Sequence, residues 1–285
     1  MYTQEITRCH RAAIVIAIDQ SCSMSGRMVL NGLELPKAEV VSMVAGRLID
    51  ELIMRSNREG EFRHYYDIAI IGYSGDRVYS LLGEKLDFLP ITELATRKVP
   101  RMVYALNYHT LKDGDTTFSE EVSRWVEPLA QGSTPMCRML YKVTELVAKW
   151  CSRKENRESF PPIVINITDG EPTDCDDNEL RDICAQVRRV ATEDGETLLL
   201  NVHICTDWTL PSIVFPMPDD LIGAGRQART LAECSSIMPS AFDDAIIELK
   251  GMGAVPPFYG MGYNASVIEL LSIINIGSRS IINME

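Results

Sequence analysis

Four stretches of the chain stay apolar without alternating, at 12–18, 67–73, 163–168 and 197–205. Runs of this kind, rich in Ile, Val and Leu, predict strands buried on both faces, as in the middle of a parallel sheet. Between them the apolar positions change to helical spacing. Val40, Met43, Val44, Leu48, Ile49 and Leu52 predict a helix over about 37–53, with Pro36 close to its start. Met139, Leu140, Val143, Leu146 and Val147 do the same for 137–150. Acids and caps at 174–179 open a further helix to about 192, and shorter helices are expected near 228–236 and 240–249.

Residues 77–82 return as a strand directly after Ser74-Gly75-Asp76, and a turn that short permits only antiparallel pairing. The stretch 83–131 is broken by Pro90, Pro100 and Pro128. It reads as an inserted subregion with one candidate strand at 102–106 and a turn at 113–115. A Gly/Pro-rich segment from 251 to 262 leads into an apolar terminal helix at 265–276. Strands alternating with helices predict an α/β fold: a doubly wound, mostly parallel sheet with one antiparallel edge strand and helices on both faces. The expected organisation is a single domain over 1–250, with 251–285 as a C-terminal extension.

Composition is ordinary for a globular protein, with 46% hydrophobic and 24% charged residues in 285. The net charge of −12 argues against nucleic acid or an anionic membrane as partner. The first eleven residues are polar, so no signal peptide is expected there, and no apolar run is long enough to span a bilayer. Eight cysteines (9, 22, 137, 151, 175, 184, 205 and 234) are scattered without a CxxC pair. Reduced thiols in a cytoplasmic protein are the expectation, with Cys22, Cys137 and Cys175 as small semi-buried residues rather than soft-metal ligands. His203 reads as a core histidine.

Candidate chemistry collects just past strand ends, where open α/β sheets place ligand sites. The first strand stops on Asp19, with Ser21 and Ser23 following. The strand 163–168 also stops on an aspartate, Asp169, and Thr134 opens the helix between them. Carboxylates and short hydroxyls are hard oxygens, suited to a cation such as Mg²⁺. The segments Asp19-Gln20-Ser21-Cys22-Ser23-Met24, Gly132-Ser133-Thr134-Pro135-Met136 and Ile167-Thr168-Asp169-Gly170-Glu171 resemble, in that order, the von Willebrand factor A family with its metal-ion-dependent adhesion site. The resemblance covers residues 12 to about 249 and looks most like intracellular, bacterial members. It implies that Ser21, Ser23 and Thr134 coordinate Mg²⁺ (Mn²⁺ or Ca²⁺ as substitutes), with Asp19 and Asp169 adding charge, often through water. Such a cation is underneutralised and takes a Glu or Asp from a partner protein. Two departures stand out: Cys22 occupies a usual glycine position, and the rim is acidic at Glu171, Asp174, Asp176 and Asp177.

Three functions follow as expectations. The first is a non-catalytic, Mg²⁺-dependent protein-binding module in an intracellular assembly linked to an ATPase, kinase or phosphatase, in stress or defence. The second is a metal-dependent phosphohydrolase or phosphotransferase with Asp19 as nucleophile. Such enzymes usually want a carboxylate two residues on, where this chain has Ser21, and no GxxxxGK[ST], GxSxG or HExxH motif is present. The third is a structural subunit whose metal only stabilises it.

Overall fold

The computed structural model describes the backbone of residues 2–30, 33–110, 114–204, 209, 211–251, 253–266, 268–270 and 272–273, and the side chains of all of these except 30, 105–110, 114–118 and 120. Strand β1 (Ala12–Asp19) is buried along its whole length. Its alternate residues serve two cores, Ile14, Ile16 and Ile18 on one face and Ala13, Val15 and Ala17 on the other. A strand covered on both sides has no solvent face to mark with polar residues, hence the unbroken apolar run.

A short turn (Cys22–Ser25) leads into a hairpin of β2 (Arg27–Leu30) and β3 (Leu33–Pro36), a stretch that reads as loop in the sequence. Pro36 then opens α1 (Lys37–Ser56). A minimal hairpin, β4 (Asn57–Arg58) and β5 (Glu61–Phe62), precedes β6 (Tyr66–Ser74). The chain reverses at Gly75, in the left-handed region at φ +62°, and β7 (Arg77–Ser80) pairs antiparallel with β6 as expected. Next come β8 (Leu89–Pro90) and the one-turn α2 (Ile91–Leu94).

Two long strands pair antiparallel, β9 (Arg101–Thr110) with β10 (Gly114–Ser123), of which the candidate strand 102–106 is one part. Gly114 and Asp115 belong to β10 rather than to a turn, and Asp113 lies outside the described residues. The hairpin region is tied to α1: Trp125 Nε1 donates to Asp50 Oδ1 at 2.9 Å, and Ser42 Oγ donates to the Val126 carbonyl at 2.5 Å.

The remaining elements are α3 (Met136–Cys151), β11 (Ile163–Thr168), α4 (Asp177–Arg189), β12 (Leu198–Ile204), β13 (Ile213–Val214), α5 (Arg226–Cys234), α6 (Asp243–Lys250) and β14 (Met261–Ala265). The main sheet runs β13-β14-β12-β11-β1-β6-β7, with β8 also on β6. Its five inner strands are parallel, while β7, β8 and β13 are short and antiparallel at the edges. Residues of α1 pack into the core on one face, and residues of α3 and α4 into the core on the other. The fold is therefore a doubly wound, Rossmann-like α/β sheet.

Ala265, expected to begin a terminal helix, instead ends the sheet strand β14. Residues 268–270 and 272–273 are helical, and 274–276 lie outside the described residues. Among the described residues no helix is long and apolar enough to cross a membrane.

Candidate metal centre

Because β1 and β11 are parallel neighbours with Ile18 opposite Ile167, both chains leave the sheet at the same carboxyl edge, carrying Asp19 and Asp169 with them. Both carboxylates are buried. Asp19 Oδ1 accepts from the Ser21 N–H at 2.8 Å, and Oδ2 accepts from Thr168 Oγ1 at 2.7 Å. The hydroxyls of Ser21 and Ser23 lie 2.9 Å apart, and Ser23 Oγ donates to Asp169 Oδ1 at 2.5 Å.

Thr134 reaches the same place from a loop braced on the β6–β7 turn. Gly132 has φ +73°, and a Cβ there would come within 2.8 Å of the Gly75 backbone, so this close crossing requires glycine. Gly75 N–H donates to the Ser133 carbonyl, and Ser133 Oγ donates back to the Gly75 carbonyl, each at 2.9 Å. On its other side Thr134 exchanges two 3.0 Å hydrogen bonds with Thr173. Between the loops sits Gly170, where a Cβ would project to 3.8 Å from Ser23 Oγ and 4.0 Å from Thr134 Oγ1. All five sequence-nominated residues, Asp19, Ser21, Ser23, Thr134 and Asp169, thus converge on one patch.

The donor set fits a hard divalent cation. Every donor is an oxygen, two are buried carboxylates, and the missing side chain at Gly170 leaves space between two of the hydroxyls. The electrostatics agree in sign. Burial raises the Asp19 carboxyl above its usual range, hydrogen bonds from Thr168 and Ser21 work against that rise, and the charge of Asp169 adds to it. A cation between these acids would relieve both burial and repulsion.

Three site residues have no counterpart in the sequence reading. Thr168 holds Asp19 through its hydroxyl; its signal was its place immediately before Asp169. Lys37, the first residue of α1, donates from Nζ to Asp169 Oδ2 at 2.9 Å, with both side chains buried. Gly26 lies against that lysine, since a Cβ there would meet Lys37 Cε at 3.4 Å. A lysine opening a helix after proline was visible in the sequence, but its aim across the sheet edge was not.

The cysteines require a correction. Cys137 and Cys175 form a disulfide, with Cα atoms 6.2 Å apart, rather than standing as separate thiols. They are far apart in sequence, and only the approach of the α3 start to the loop before α4 brings them together. Bonded to each other, they offer no thiolates to a soft metal. Cys22 is exposed, and its N–H donates to the Gly132 carbonyl at 3.0 Å. Its φ is not positive, so the loop does not need glycine there.

The acidic rim is largely engaged. Asp174 accepts from the Cys137 and Arg138 N–H groups at the α3 start. Asp176 caps α4 in a reciprocal pair with Glu179, and Asp177 is paired with Arg226 at 2.7 Å. His203 is buried, its ring stacked on Tyr263 at 4.8 Å, and burial pushes its imidazole down to about 4, which keeps it neutral.

No family profile and no curated protein matches the sequence. Structural neighbours are von Willebrand factor A domains. A von Willebrand factor type A structure from Catenulispora acidiphila is 12% identical, with a TM-score of 0.40, over 79% of this chain and 43% of that one. The SpRpn10 VWA domain is 10% identical, TM-score 0.38, over 87% of this chain and 100% of that one. The vWF domain of the type V pili tip protein Mfa5 from Porphyromonas gingivalis is 15% identical, TM-score 0.33, over 57% and 39%. This chain spans less than half the length of the first and last of these.

Proposed function

We propose that this chain is a non-catalytic protein-binding module of the von Willebrand factor A type, in which a metal-ion-dependent adhesion site captures a Glu or Asp of a partner protein. One observation carries the reading: five oxygen-bearing side chains from three distant segments meet at the carboxyl edge of the sheet, linked from Asp19 through Ser21 and Ser23 to Asp169, with Thr134 beside Gly170. Ser21, Ser23 and Thr134 would hold Mg²⁺ through their hydroxyls, and Asp19 and Asp169 would supply charge. A bound Mg²⁺ supplies a Lewis-acidic position that an outside carboxylate fills. The rim acids are held by local partners, Asp174 and Asp176 by the N–H groups of helix starts and Asp177 by the Arg226 guanidinium.

The non-catalytic part of the reading is supported by Asp19 itself. Both of its oxygens already accept hydrogen bonds, from Ser21 N–H and Thr168 Oγ1, which suits an anchoring acid better than a nucleophile. In our reading the setting is a multi-protein assembly of the ATPase-, kinase- or phosphatase-linked kind.

The test is calorimetric titration of Mg²⁺ and Mn²⁺ into the wild-type chain and the Asp19→Ala and Ser21→Ala variants, followed by pull-down with Mg²⁺ or EDTA. Wild type should bind metal and retain partner only with it. The variants should keep their circular dichroism spectrum and lose both. Partner retention in EDTA would defeat the proposal, as would phosphatase turnover abolished by Asp19→Asn.

A further inference from the structure

We infer that Lys37 is a built-in cation of the metal site, which lowers its affinity for metal and raises the affinity of the metal-loaded site for carboxylate. The inference rests on the metal-binding reading above and concerns a residue outside the donor set. Lys37 stands first in α1, where its own N–H donates to the Gly26 carbonyl at 2.7 Å. Its side chain passes Gly26 so closely that a Cβ would lie 3.4 Å from Cε, 3.5 Å from Nζ and 3.1 Å from the Ser23 carbonyl. The stem therefore runs under the very turn that carries Ser23. Its ammonium ends 2.9 Å from Asp169 Oδ2, while Asp169 Oδ1 faces Ser23.

This placement goes against one ordinary preference, since a cation at a helix N-terminus meets the positive end of the macrodipole, and it satisfies another only through Asp169, because a buried lysine needs a partner. Local rules broken in this way are expected at functional sites. Asp169 offsets both costs, and in return its two oxygens are divided, one given to the ammonium and one to the hydroxyl cluster.

The charge count decides what the division does. Two carboxylates and one ammonium leave the site with one net negative charge. Adding a divalent cation turns that into one net positive charge, which a single incoming carboxylate cancels. Without Lys37 the metal-loaded site would be neutral, and an added carboxylate would leave it negative. Lys37 therefore opposes metal entry and favours an acidic ligand afterwards, and both effects grow at a buried site where screening is weak.

The experiment measures the two affinities separately, with Mg²⁺ alone as the first probe and glutarate added to the Mg²⁺-saturated protein as the second. The proteins are wild type, Lys37→Met and Lys37→Gln, the last retaining a hydrogen-bond donor without charge. Both variants should bind Mg²⁺ about tenfold or more tightly than wild type, and their loaded forms should bind glutarate several-fold more weakly. Unchanged or weaker Mg²⁺ binding in whichever variant folds overturns the inference while leaving the metal site standing. Stronger Mg²⁺ binding with unchanged glutarate affinity also overturns it. Absence of Mg²⁺ binding in all three proteins overturns the metal-binding reading itself, and a wild type that binds Mg²⁺ separates the two failures.

Discussion

At the scale of single residues, charges are buried at both ends of the sheet, and each is held by named partners. At the end opposite the candidate metal centre, Asp67 accepts from His64 Nε2 at 2.7 Å and from Trp150 Nε1 at 2.9 Å, with Arg11 at 4.0 Å. Burial alone would raise its carboxyl, but the His64 and Trp150 hydrogen bonds, with the charges of His64 and Arg11, hold it below the usual carboxylate range. A carboxyl depressed in the fold binds fewer protons there than when unfolded. Its stabilisation is therefore present above the unfolded value near 4 and is lost as pH falls through the folded value. Asp67→Asn should cost about 1–3 kcal/mol at pH 7. In urea unfolding, its deficit against wild type should shrink below about pH 4; a deficit that ignores pH would show that ionisation at Asp67 is irrelevant. The residues legible in the sequence were those whose roles follow from position alone. Asp19 and Asp169 end buried runs, and Ser21 and Ser23 follow at fixed spacing. Lys37 acts through a contact made across the sheet edge, which no spacing along the chain encodes.

Elements divide in the same way. The strands β1, β6, β11 and β12 were legible because burial on both faces leaves an uninterrupted apolar run. By contrast β14, Met261-Gly262-Tyr263-Asn264-Ala265, carries a glycine and an asparagine at φ +53°, so it looks like a loop until β12 supplies a partner. The β9–β10 hairpin reads as one short strand in the sequence because it packs on α1 rather than in the sheet, with the Tyr104 hydroxyl donating to Glu39 of α1. The disulfide joins the start of α3 to the loop before α4, and so clamps the Thr134 loop to the loop following Asp169. A cross-link spanning 38 residues restricts the unfolded chain, a contribution of roughly 2–4 kcal/mol. Reduction, or Cys137→Ser, should lower the urea midpoint accordingly, with thiol counting by mass spectrometry tracking the change. A midpoint unmoved by full reduction would remove any stabilising role for the bond.

For the whole molecule, the decisive property is that the candidate ligands belong to segments at 19–23, 134 and 169, which meet only when the sheet is formed. Nothing along the unfolded chain gathers them, so metal binding would be linked to folding rather than to any one loop. A ligand that binds only the folded state stabilises it by about 2.7 kcal/mol at a hundredfold excess over Kd. For a chain of this size that is a rise of several degrees in Tm. Thermal unfolding in saturating Mg²⁺ against EDTA should show this rise in wild type, a smaller one in Ser23→Ala, and none in Asp19→Ala. Because β1, β11 and the loop before α3 carry the ligands, the gain should extend to the whole cooperative transition instead of a separate early step. A rise of equal size in Asp19→Ala would mean that Mg²⁺ stabilises the chain elsewhere, by screening its net charge of −12. The same comparison in NaCl at matched ionic strength separates those two effects, since screening follows ionic strength and a coordinated cation does not.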